Sequence, residues 1–312
     1  MRRAAACLLS CLLAACAAQH PPSVAACSMD KVAELPVRIV GGAVMIPASI
    51  NHTAVQMELD TGAEMTTVTP SAASELRLPP DARRRTLVHA TGGDVTSRNQ
   101  IVWNFEVGHQ LWQDQSFTLV DLARTLHEDP PVAGLLGADL LSEFDVELDL
   151  PHGRMALWEV HDCAGDFAWP DVPHYRLELQ RHPPNKLVTQ VRVQGQTLTA
   201  LIDWGANATM MTDAAAARLG VTPDMLNHDP SGHQNGADRR EGVVHLHQFT
   251  DVQIGPEHFH LLRMQVAPIH VRDADALLGI DYARRRRLWL SYATGQMFVA
   301  LPQQTAQAVP HV

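Results

Sequence analysis

Val55-Gln56-Met57-Glu58-Leu59-Asp60-Thr61-Gly62-Ala63 alternates apolar and polar side chains and then breaks into Asp-Thr-Gly-Ala. Alternation with period two marks a half-buried strand. A carboxylate therefore stands where the strand ends, beside a glycine that lets the backbone turn sharply and approach closely whatever faces it. The tetrad returns 143 residues later as Asp203-Trp204-Gly205-Ala206. Three further anchors keep the register. Gly93, in Thr91-Gly92-Gly93-Asp94, lies 143 before Gly236, in Asn235-Gly236-Ala237-Asp238. Gly134-Leu135-Leu136-Gly137-Ala138-Asp139 lies 142 before Ala276-Leu277-Leu278-Gly279-Ile280-Asp281, as Gly153 does before Gly295. Two copies at so long a period mean duplicated domains, each large enough for its own core, rather than a solenoid.

Outward from the two tetrads the chain reads mainly as strand. Segments within 101–107 and 187–193 alternate like 55–59, and Gly/Asp/Asn clusters supply hairpin turns. One helix per half is expected after the Asp motif, over 70–76 and 213–219, each opened by a residue suited to a first turn or cap. Residues 162–173 lose periodicity and gain Pro and Gly, which reads as a linker. The expected organisation is a signal segment 1–16, a flexible lead 17–35, a first lobe 36–161, the linker 162–173, a second lobe 174–301 and a tail 302–312.

Duplicated halves related by an approximate twofold axis bring equivalent residues together where that axis passes. Asp60 and Asp203 then form a facing pair. At about 3 Å and an effective dielectric near 20, two carboxylates repel by roughly 5 to 6 kcal/mol, about four pKa units, so the pair keeps one shared proton over a wide pH range. Such a pair can activate water with one oxygen and protonate a carbonyl with another.

These residues resemble a two-lobed aspartic peptidase with retropepsin-like or pepsin-like halves, of the kind found in bacterial envelopes. The resemblance covers roughly 265 residues, from near Pro36 to near Leu301. It rests on the Asp motif, the glycine-turn hairpin and the apolar-apolar-Gly segment, each present twice. It implies a mostly β, bilobal fold of two β-barrel lobes with a short helix or more in each. It also implies an endopeptidase whose catalytic residues are Asp60 and Asp203, with water as nucleophile and no cofactor or metal. Thr61, Gly62, Gly205, Leu136, Gly137 and Gly279 support the site, and Gly92, Gly93 and Gly236 top flap-like hairpins. The implied partner is an extended peptide or unfolded protein bound by main-chain hydrogen bonds. The duplication is an internal pseudo-dimer, so a monomer is expected. One position departs from the pattern: Trp204 stands where Thr61 stands in the first half. In the family a hydroxyl there reaches the other loop and stiffens both carboxylates, whereas an indole has one donor, no acceptor and far more bulk. The second reading is therefore a peptide-binding envelope lipoprotein with weak or absent turnover.

The ends and the composition bound the rest. Arg2 and Arg3 precede an apolar run, Ala4 to Ala15, of signal-peptide length and too short to span a bilayer. Leu13-Ala14-Ala15-Cys16 resembles a lipobox, which would make Cys16 the lipidated residue and place the protein in the cell envelope on its periplasmic face. Soluble export after an ordinary cleavage is the alternative. With Cys16 acylated, Cys27 and Cys163 are the two thiols left in an oxidising compartment, and they are expected to pair. Net charge is −10, which leaves no basic field to hold nucleic acid. His245-Leu246-His247 and His258-Phe259-His260 put ring pairs on one strand face, but no further ligands complete a zinc site by spacing, and exposed strands are expected there. Arg83 to Arg85 and Arg284 to Arg287 read as solvated charge runs, the second at a helix or loop end facing water or lipid head groups.

Overall fold

In the computed structural model, which describes residues 26–90, 93–122, 128–235 and 241–302, both halves are built mainly of strand, with a few short helices. In the first half Ala43–Ile50 pairs antiparallel with Thr53–Leu59, which pairs parallel with Val132–Leu136. In the second, Lys186–Val193 pairs antiparallel with Gln196–Ile202, which pairs parallel with Ala276–Leu278. The parallel pairings matter most for function. Leu59 lies opposite Leu136 and Ile202 opposite Leu278, so each Asp leaves its sheet at an equivalent point.

A third sheet joins the halves. Its six strands run in the order Ser28–Pro36, Arg154–His161, Asp145–Asp149, Arg287–Ser291, Gln296–Ala300, His174–Glu178. At its centre one strand of each lobe meets the other antiparallel, with Val146 opposite Leu290 and Leu148 opposite Leu288. The apolar residues of these strands join a core continuous through both lobes. The result is a bilobal retropepsin-like fold.

Both helices expected after the Asp motifs form, over Pro70–Glu75 and Asp213–Arg218, with Leu76 and Leu219 as their C-caps. Thr69 accepts from the amide of Ala72 at 3.2 Å, and Thr212 from that of Ala215 at 3.1 Å, so side-chain oxygens satisfy otherwise orphan donors at both starts.

Four expectations are corrected. The lead 17–35 is not all flexible: Ser28–Pro36 is an edge strand of the shared sheet, paired with Arg154–His161. The stretch 162–173, read as a linker, is packed rather than loose. Phe167, Ala168 and Trp169 are buried against Trp289 and Phe298, and the Trp169 indole donates to Glu147 at 3.1 Å, so the stretch without periodicity plugs one face of the shared sheet. Of the arginine run, Arg284 and Arg285 are exposed, but Arg286 donates to Glu257 at 2.9 and 3.0 Å, while Arg287 donates to Glu147 at 2.7 Å and lies over the Trp169 ring. The histidine strands are not uniformly exposed: His247 is buried with Nδ1 2.6 Å from Asp229, and His258 pairs with Asp251 at 2.6 Å. Strand alternation in the sequence does not reveal that carboxylates on the strands Asp145–Asp149, Glu241–Ile254 and Glu257–Ala267, and at Asp229, meet these cations and rings.

Candidate active site

Each Asp is held by its own loop in the same way. The amides of Gly62 and Ala63 donate to Asp60 Oδ1, both at 2.9 Å, and those of Gly205 and Ala206 donate to Asp203 Oδ1, both at 3.0 Å. One oxygen of each carboxyl is thereby oriented and the other left for a partner. The two loops face each other, and each carboxyl is seated against the other loop's glycine. Glycine is what permits this approach. A Cβ on Gly62 would lie 2.4 Å from Asp203 Cγ, and one on Gly205 would lie 2.3 Å from Asp60 Cγ.

The apolar-Gly segments thread behind these loops. Asp60 donates its amide to Leu136 O at 3.0 Å and Asp203 its amide to Leu278 O at 3.1 Å. A Cβ on Gly137 would come 2.6 Å from the backbone of Met65, and one on Gly279 would come 2.4 Å from that of Ala208. Behind them stands a buttress that sequence reasoning missed. Asp139 Oδ1 accepts from the Thr66 amide at 2.8 Å and its hydroxyl at 2.7 Å; Asp281 Oδ1 accepts from Thr209 in the same two ways, both at 2.8 Å. The signal was available, because Thr66 and Thr209 keep the repeat offset, as do the two aspartates.

The symmetry breaks at Trp204. Thr61 Oγ1 donates to Ile202 O at 2.8 Å and accepts from the Trp204 amide at 2.9 Å, so the first loop grips the second through both bonds. Trp204 offers no hydroxyl to return them. Its indole is instead 1% exposed and packed into the main core.

Asp60 and Asp203 keep a partly exposed edge while protein surrounds them on their other sides. That desolvation raises the proton affinity of both. For Asp203 the charge of Asp60 adds to it, pushing its pKa up to about 8. The buried cation of Lys186 works in the opposite direction on both carboxyls. A pair so placed still holds a proton at neutral pH.

Two hairpins stand where flaps were expected. Pro80–Ala90 pairs with Gly93–Val107, with Ala90 opposite Gly93, and Ser231–Asn235 pairs with Glu241–Ile254. Gly92 and Gly236 lie outside the described residues, as does Cys16. Cys27 and Cys163 are joined in a disulfide that ties the start of the edge strand to the segment between the lobes. Among the described residues no group of three or more His, Cys, Asp or Glu is arranged to hold a metal ion.

Two duplicated β lobes, a sheet shared between them, and one Asp-x-Gly-Ala loop from each meeting at the interface define the bilobal acid-peptidase class. Comparison with known families agrees half by half. Residues 46–140 match the family model described as "Aspartyl protease", and residues 189–285 match that of the "gag-polyprotein putative aspartyl protease". The chain belongs to the two-lobed, retropepsin-like aspartic peptidases. No curated protein matches it.

Proposed function

We propose that this chain is an endopeptidase that hydrolyses peptide bonds in extended or unfolded polypeptide, with Asp60 and Asp203 as its catalytic pair. The observation that carries the reading is the reciprocal seating of the carboxyls, each on the other loop's glycine and each with one oxygen fixed by two amides. Water held between the outer oxygens loses a proton to the ionised member as it attacks the scissile carbonyl, while the protonated member donates to the carbonyl oxygen. The tetrahedral diol collapses when the proton gained from water passes to the leaving amine and one of the diol hydroxyls returns its proton to the other carboxylate. The pair then holds one proton again. Thr61 keeps the loops in register, and the hairpins offer edges along which an extended peptide can add main-chain hydrogen bonds.

A second reading keeps the cleft and discards turnover, and one observation favours it: Trp204 leaves the interlobe grip one-sided. Incubation of the mature protein with an unfolded protein at acid pH separates the two readings. Cleavage lost in both Asp60→Asn and Asp203→Asn supports the first; peptide binding without cleavage supports the second. Export to an oxidising compartment with a lipid anchor at Cys16 completes the proposal, supported by the apolar run at Ala4 to Ala15 and by the disulfide.

A further inference from the structure

Lys186 begins the strand Lys186–Val193 in the second half and is 9% exposed. A lysine so enclosed needs a counter-charge. It finds one across the interface: Nζ lies 3.2 Å from Oε1 of Glu64, which follows Asp60 by four residues on the first half's loop. That oxygen is enclosed and meets the ammonium off the hydrogen-bond line, so the contact is ionic rather than directional. The repeat places Ala43 and Asn207 at the mirror positions, and neither carries a charge. The two segments still lie close there, since a Cβ on Gly42, next to Ala43, would lie 2.9 Å from Asn207 Cβ. Duplication has kept the place and charged one side of it. The same loop also supplies, through Thr61, both hydrogen bonds of the one-sided grip.

The charged and titratable groups around this ammonium are few. Among the described residues, Glu64 meets it across the interface, Asp60 and Asp203 feel its charge from the two Asp loops, and His182 lies opposite it in the neighbouring strand. Tyr292, whose buried hydroxyl has no hydrogen-bond partner, feels the charges of Asp60 and Arg181.

We propose that Lys186, held by Glu64, is a positioning residue for the carboxylate pair: a single buried cation on one side of it that governs how tightly the pair holds its shared proton, and so where activity falls off with pH. This rests on the peptidase reading for its consequence in turnover, but not for its electrostatics. A cation tied at 3.2 Å to Glu64, four residues along the loop from Asp60, favours the ionised form of the carboxyls beside it.

The test pairs two readouts, a carbon-13 NMR titration of the Asp60 and Asp203 carboxyl carbons and the pH profile of cleavage of an unfolded protein. Lys186→Met removes the cation and should move the titration steps and both limbs of the profile up by roughly half a unit to one unit. Glu64→Gln leaves the cation unneutralised and should move them down. Lys186→Arg should keep the wild-type positions. The double variant Lys186→Met/Glu64→Gln, which leaves no unpaired buried charge, should fall between the single variants and guards against a Lys186→Met chain that does not fold. Shifts of both single variants in the same direction, or equal losses of activity with no shift, would overturn the proposal and leave the pair a packing feature. Titration shifts of opposite sign in a protein that cleaves nothing would uphold it and refute the peptidase reading instead.

Discussion

Replacing Trp204 with Thr restores the residue type that the first half carries, and it pits two effects against each other. A threonine hydroxyl could return the bonds that Thr61 makes, adding about 1 kcal/mol for each of two hydrogen bonds. Against this, the indole is among the largest fully buried side chains of the molecule and belongs to the core that runs through both lobes. Truncating a buried Trp costs roughly 3 to 5 kcal/mol, because the transfer energy is lost and a cavity remains. Packing wins by roughly 1 to 3 kcal/mol, which for a chain of this size lowers the melting temperature by about 2 to 5 °C. Circular dichroism melts of the wild type, Trp204→Thr and Trp204→Phe, with cleavage measured well below the transition, give the answer. The expected result is a lower melting temperature for Trp204→Thr, a smaller decrease for Trp204→Phe, and cleavage at 25 °C that does not fall in Trp204→Thr. A melting temperature equal to or above wild type in Trp204→Thr would refute the reasoning, because the indole would then contribute nothing that a hydroxyl cannot replace.

Asp203→Asn should abolish cleavage yet stabilise the fold at neutral pH. Its native pKa, pushed up to about 8, lies above the ordinary aspartate value of about 3.9, so native stability falls as pH rises through that window; removing the ionisable group recovers roughly 2 kcal/mol near pH 8, after allowance for water at its exposed edge, and urea melts at pH 4.5 and 8 check it. Gly62→Ala should eliminate cleavage, because its Cβ would occupy the space of the Asp203 carboxyl, whereas Ala at Gly165, where nothing lies within 4 Å but φ is positive, should cost only stability; activity and melts of the two variants make the comparison. Cys163→Ser opens a loop closed across a sequence separation of 136, for which chain entropy suggests a loss of about 4 to 5 kcal/mol, read as a shift in the urea midpoint and accompanied by a free thiol at Cys27.

The repeat alone was enough to set the architecture, because duplicated motifs at a constant offset carry position as well as chemistry. Asp60 and Asp203, the glycines beside them and the Leu-Leu-Gly segments were legible for that reason, as were the two helices, whose starts are governed by local capping. Local sequence could not show what required two distant surfaces to meet. Ser28–Pro36 reads as a loose lead because an edge strand depends on its partner for hydrogen bonds, and that partner lies more than a hundred residues away. The stretch around Phe167 and Trp169 reads as a linker because its burial follows the shape of the shared sheet's face, with no period of its own. Arg286, Arg287 and His247 were assigned to solvent for want of any sequence signal that Glu257, Glu147 and Asp229 would reach them. Trp204 was legible as a departure from the pattern, but only packing decided that its ring belongs to the core. Lys186 and Glu64 had no motif at all. Their pairing is produced by the interface between the lobes, where a charge buried from one side must find its partner on the other.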